Sequence, residues 1–250
     1  MKKLFTFLIV LLSLMLVLTS CGSSPTNGSD STDDTAAAGR LRPTTDSKAN
    51  NTLIYPIGSI PTTLDPEHFA LAVEDFIINQ VYETLWRQTL SGELINFLAE
   101  DYTVNEDGSV SVTLCDAKFH SGDTLTAEDV AYTFGRLETS VLSSDIYGMV
   151  DIVIEDDKHF TMNFPLAEYG ATFEALLPYL INIRIENESW ATEQIEDAND
   201  TLPIAEDGTG AFVFSGISDG GDVTLTRFED YRDDVSLDSV KLKYDASQLL

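Results

Sequence analysis

Basic side chains are scarce: 14 Lys and Arg stand against 42 Asp and Glu in 250 residues, a formal charge of -28. Such a surface repels phosphate backbones and anionic headgroups, so nucleic acid is not an expected partner. Cysteine is scarcer still, with Cys21 and Cys115 alone, too few for a disulfide framework. The three histidines, His68, His120 and His159, fall in what read as a loop, a turn and a hairpin, and none has a second ligand at zinc-site spacing. No metal and no cofactor are expected. Ser121, beside His120 and Gly122, lacks the strand, turn and helix context of a nucleophile elbow. Gly208, Thr209 and Gly210 come without a Walker lysine or GxGxxG spacing. The adjacent acids Asp156 with Asp157 and Asp233 with Asp234 sit on turns, where carboxylates are solvated. Catalysis is therefore not expected. The apolar run from Leu4 to Leu18, about fifteen residues, is short of the ~20 that span a bilayer.

What is present begins with that run. Lys2 and Lys3 precede it and small or polar residues follow it to Cys21, the three parts of an export signal over residues 1–20. Leu18, Thr19, Ser20 and Cys21 resemble the lipobox of bacterial lipoproteins, which implies an acylated Cys21 as the new N-terminus and membrane anchor. The alternative is an ordinary signal peptide with an incidental cysteine. Residues 21–50 are rich in Ser, Thr, Gly, Asp, Asn and Ala and nearly free of large apolar side chains, which reads as a disordered, flexible tether. Residues 51–250 are long enough for one sizeable core.

Within them, Thr52 to Ile57 reads as a strand, broken by Gly58, Pro61 and Pro66. Val73, Phe76, Ile77, Val81, Tyr82, Leu85 and Trp86 recur at helical spacing and predict one helix through all of them. Asn105 to Gly108 is a hairpin turn between alternating segments, the second of which predicts Cys115 buried in a strand. Thr126 as N-cap, Asp129 as the capping-box acid, and Leu125 with Val130 as a hydrophobic staple predict a helix start. Glu128 and Asp129 suit the positive end of its dipole. A second hairpin joins Ile152 and Ile154 to Phe160, Met162 and Phe164, and a helix over Ala171 to Leu180 is limited by Pro178. Strands around Phe212, Val223 and Val240 close the series. The pattern is mixed α/β with mostly hairpin-linked strands.

These elements carry a resemblance. Leu64, Asp65 and Pro66; Tyr82, Glu83, Thr84 and Leu85; and Leu98, Ala99 and Glu100 resemble motifs of the extracytoplasmic solute-binding family 5, the oligopeptide, dipeptide and nickel receptors of ABC importers. The densest match runs from Lys118 to Leu137, through Phe119, His120, Gly122, Asp123, Leu125, Thr126, Ala127, Glu128, Asp129, Val130 and Arg136. Gly208 to Phe212 resembles the family's Gly-Thr-Gly-Pro-Tyr, with Ala211 in place of proline, and Leu225, Arg227 and Tyr231 resemble its Leu-x-Arg-x-x-x-Tyr. Cys115, Asp116 and Ala117 replace the usual basic, glycine-bearing turn.

The resemblance implies a periplasmic-binding-protein-like type II fold, here the first lobe of a two-lobe clamp, with the second lobe missing and the chain apparently truncated. It implies an oligopeptide or dipeptide ligand delivered to an ABC permease and ATPase at the extracytoplasmic face of the membrane. It also implies that Ala70, Leu71 and Ala72 pair with a peptide as an added strand would, with Tyr147, Thr209 and Gly210 lining the same cleft. Each position has a competing reading: a helix start for Ala70 to Ala72, a packed surface aromatic for Tyr147, a turn for Thr209 and Gly210. Competing functions are a lipoprotein enzyme or adhesin on the same scaffold, and a non-binding fragment.

Overall fold

A computed structural model describes residues 44–46, 51–195, 202 and 204–249. The export signal over residues 1–20 and the anchor Cys21 lie outside the described residues. So does the tether over 21–50, except for a short strand, β1 (Thr44–Asp46), which runs antiparallel to β2 (Thr52–Ile57).

Two sheets organise the chain. The larger has the order β1-β2-β11-β10-β9, with β9 at Phe212–Ile217, β10 at Val223–Arg227 and β11 at Ser239–Tyr244. Its neighbours are antiparallel except β2 and β11, which pair in parallel from Thr52 opposite Ser239 to Ile57 opposite Tyr244. Helix α1 (Ala72–Val81) covers this sheet, and Ile77, Ile78, Val81, Val223, Leu225 and Leu242 form their common core. The smaller sheet is wholly antiparallel, β5-β6-β8-β7, from Ala99–Val104, Val110–Leu114, His159–Asn163 and Asp151–Ile154. On it pack α2 (Ala127–Arg136) and α3 (Phe173–Leu180). Trp86, fully buried, meets Tyr102 and Phe173 edge-on at 5.6 and 5.4 Å. A short ribbon, β3 (Trp86–Gln88) with β4 (Leu94–Asn96), and helix α4 (Glu188–Gln194) complete the described elements.

Three boundaries differ from the sequence reading. Helix α1 stops at Val81, because Tyr82 is extended (φ -109, ψ 159), and Trp86 begins β3 instead. Its apolar period continues past the helix because Tyr82 joins the α1 core while Leu85 and Trp86 turn into the other. Cys115 lies just past β6 and is half-buried, where burial raises its thiol above the ordinary range. Pro178 stands inside α3 rather than ending it. The α2 start is as read: the Thr126 amide and hydroxyl both donate to Asp129 Oδ2, at 2.8 and 2.9 Å, and Leu125 and Val130 are fully buried.

Candidate functional site

The loop from Pro61 to Leu71 joins β2 to α1, and one buried carboxylate shapes it. Glu74, in the first turn of α1 and 1% exposed, accepts backbone N–H bonds from Thr62 (2.7 Å), Thr63 (3.2 Å), Ala70 (3.0 Å) and Leu71 (2.9 Å). The Thr62 hydroxyl adds a fifth at 2.8 Å. Leu71, at the N-cap position, has no polar side chain to cap the helix, so Glu74 takes that task and ties the loop to it. Burial pushes the Glu74 carboxyl up, but these donors outweigh it and hold the group below its ordinary value.

The middle of the loop is fixed to α2. Asp65, fully buried, accepts the Glu67 amide at 2.9 Å, the Leu202 amide at 2.7 Å and Arg136 Nη2 at 3.1 Å, and lies 3.1 Å from His68 Nδ1. The Glu67 carbonyl accepts the Val141 amide at 2.9 Å and the Ser140 hydroxyl at 3.3 Å. Residues 65–72 therefore run beside the turn 139–147 that follows α2. Phe69 and Leu142, one from each, line a hollow of about 250 Å³ with Asp75, Ser143, Tyr179 and Arg184. Arg184 is held there by Asp75 at 2.6 Å and Asn79 Oδ1 at 3.1 Å.

Ala70 and Ala72 are exposed and Leu71 is half-buried. The amides of Ala70 and Leu71 are already donated to Glu74, so an added strand could not take them without displacing that carboxylate. Tyr147 is 52% exposed at the end of the 139–147 turn and borders a separate hollow of about 430 Å³ with Phe134, Gly135, Ile152 and Pro165. Thr209 and Gly210 do not join them. Both are buried, because Gly208 and Gly210 press against the carbonyls that end α1. The Gly210 amide donates to the Val81 carbonyl at 2.8 Å. The glycine turn is a packing joint.

His120 fastens that joint. Its Nδ1 lies 2.7 Å from Glu206 and its Nε2 2.8 Å from the Gly210 carbonyl, so both ring nitrogens face acceptors, an arrangement that only the imidazolium satisfies. Burial pulls the ring down, but the Glu206 hydrogen bond and charge hold it above its ordinary value. Folding therefore favours the protonated ring. The stabilisation is fully present below about 6.5, the unfolded value, and is lost as pH rises through the higher folded one. His120→Gln should lower stability by ~1.5–3 kcal/mol in mildly acidic solution and by less at alkaline pH, read from urea midpoints; a deficit constant across pH would contradict the charged ring.

Comparison with known proteins gives the family and the fold. Residues 93–249 match the family model described as Bacterial extracellular solute-binding proteins, family 5 Middle. The chain belongs to this family. Among solved structures, the fold is similar to AgaA from A. tumefaciens R10 in complex with agropinic acid, at TM-score 0.68 and 24% identity, covering 78% of this chain and 40% of that one. It is similar also to a dipeptide binding protein from Pseudoalteromonas sp. SM9913 in complex with Met-Leu, at TM-score 0.67 and 21% identity, covering 78% and 43%. NikZ from Campylobacter jejuni in complex with Ni(L-His) matches at TM-score 0.64 and 18% identity, covering 79% and 40%. The fold is of the type II periplasmic-binding-protein kind, and the chain spans about two-fifths of the length of these proteins. The proteins matched are binding proteins, and the family is extracellular. The family 5 match takes in Tyr147, Thr209 and Gly210 and begins beyond Ala70 to Ala72.

Reading the sequence missed Glu74, Glu67, Arg184 and the pairing of Arg136 with Glu186. Glu74 had a signal: an acid three residues after a helix start that lacks a polar N-cap. The others had none, since burial decided their role.

Proposed function

We propose that this chain forms one wall of the solute site in the substrate-binding component of an ABC importer, with an oligopeptide or dipeptide as ligand. The observation that carries the reading is the fastening of residues 65–72 to the turn 139–147 through the Glu67 carbonyl. It sets side by side a largely buried segment that surfaces at Ala70 and Ala72 and a largely exposed turn that ends at Tyr147. With the Ala70 and Leu71 amides held by Glu74, the segment offers the exposed side chains of Ala70 and Ala72, and Tyr147 offers a ring with a hydroxyl, the mixture of apolar surface with a few polar groups that small-ligand sites use. Thr209 and Gly210 act from behind, by holding the end of α1. An acylated Cys21 and the stretch 21–50 would keep the receptor on the extracytoplasmic face of the membrane, within reach of permease and ATPase.

The reading is supported by the family and by the ligands named for the similar structures, a dipeptide among them. Clamp receptors gain affinity by closing two walls on the ligand, so residues 51–250 alone should bind peptide weakly or not at all. Calorimetric titration of peptides into the protein that carries this chain tests the proposal: saturable binding supports it, and no heat from any peptide counts against it.

A further inference from the structure

Three buried acids surround one guanidinium at the end of α2. Asp65 is fully buried, and Glu67 and Glu186 are each 1% exposed. Arg136, from the end of α2, pairs with Asp65 through Nη2 at 3.1 Å and with Glu186 through Nη1. Glu67 Oε2 and Glu186 Oε1 are buried with no hydrogen-bond partner among the described residues. Leaving such an oxygen unpaired costs ~1–3 kcal/mol, and more when it is charged. The groups facing Glu67 are Asp65 from its own segment, itself 3.1 Å from His68, Arg136 and Ser140 from the end of α2 and the turn after it, and Arg184 with Glu186 from the segment after α3. Arg184 is already paired with Asp75. The acids therefore exceed the cations that could neutralise them.

We propose that Glu67 is the titrating part of a proton-operated latch, which fastens residues 65–72 to the turn 139–147 when its carboxyl is protonated and loosens them when it is ionised. For its functional meaning the inference rests on the reading of these two segments as walls of the solute site. A proton taken from solvent forms an O–H bond on Glu67 and removes a negative charge from beside Asp65 and Glu186; nothing else is exchanged. The carbonyl of the same residue holds the Val141 amide and the Ser140 hydroxyl, so movement of Glu67 is transmitted to the turn that carries Tyr147. Burial pushes Glu67 up to about 7, with Ser140 and Arg136 opposing. Burial also raises Glu186, which the charge on Glu67 raises further. Both shifts favour the protonated folded state, so this stabilisation is full below the ordinary value of 4.5 and is lost as pH rises through about 7.

The test is amide exchange of the full chain at about pH 6 and about pH 8, either side of that value, corrected for the intrinsic pH dependence of exchange. The wild-type Val141 amide should exchange about tenfold faster at the higher pH, the factor that one pKa unit represents. Glu67→Gln, neutral at every pH, should abolish the difference. Equal wild-type protection at the two values, or a variant that follows the wild type, overturns the latch. Infrared spectra of the wild type with isotopically labelled glutamate supply a readout that needs no variant. A buried protonated glutamate band should weaken between the two pH values, and its absence at the lower one overturns the proposal. Neither readout uses ligand, so a failed latch leaves solute binding untouched, and failed peptide binding leaves the latch standing.

Discussion

Glu74→Ala is expected to lower stability by at least about 3 kcal/mol and to free the loop from Pro61 to Leu71. Four backbone amides and one hydroxyl converge on this single 1%-exposed carboxylate. Alanine would leave those donors without their acceptor at ~1–3 kcal/mol each, less whatever water recovers. Glu74→Gln should be milder, since one amide oxygen still accepts while its NH2 faces donors. The pH profile gives a second check. The folded group sits below its ordinary value of 4.5, so its contribution holds above that value and is lost as pH falls through the folded one. Urea midpoints for both variants, with amide exchange at Ala70 and Leu71, measure the effect. A Glu74→Ala protein that unfolds at the wild-type midpoint would mean that the loop is held by other contacts.

Gly208→Ala should be of similar size. A Cβ at that position would stand 2.0 Å from the Val81 carbonyl oxygen, and one at Gly210 would stand 2.4 Å from that of Gln80. Both obstacles are backbone at the end of α1, so the glycine turn or the helix has to move. A shift of that kind in a packed region costs ~1–3 kcal/mol or more. It also breaks the Gly210 to Val81 hydrogen bond and the seat of His120. Gly135→Ala is the control. It lies within α2 with nothing within 4 Å of its new Cβ, and should stabilise the chain by up to ~1 kcal/mol. Thermal melts of the three proteins decide the point, and a Gly208→Ala protein melting with the wild type would contradict the close approach.

Where local chemistry fixed an element, the sequence revealed it. Thr126, Asp129, Leu125 and Val130 announced α2 because caps and staples act within one turn. The Asp107 and Gly108 turn announced the β5–β6 hairpin, and Gly108 takes the positive φ of 84° that the turn needs. Tyr82, Leu85 and Trp86 misled because periodicity records burial, not the element that provides it. The parallel pairing of β2 with β11, Thr52 beside Ser239, joins segments 187 residues apart in sequence, and no local signal specifies it.

The site was legible to a lesser degree. Resemblance pointed to Ala70 to Ala72 and to Tyr147, and the structure brings their segments together through Glu67. It also pointed to Thr209 and Gly210, whose interior packing comes from contacts with α1 that sequence does not display. A chain with 42 acids gives no reason to single out Glu67, Glu74 and Glu186; only burial separates them from the solvated majority.

The central claim is that this family 5 chain supplies a wall of a solute site, and calorimetry on the protein that carries it is the most direct test. Titration with a panel of dipeptides and oligopeptides should give saturable heat with a Kd on the order of 1 μM for at least one member, weakened by Tyr147→Ala without loss of fold. A folded protein that gives no heat with any peptide, or binding that is indifferent to Tyr147 and to the segment from Ala70 to Ala72, would contradict the account.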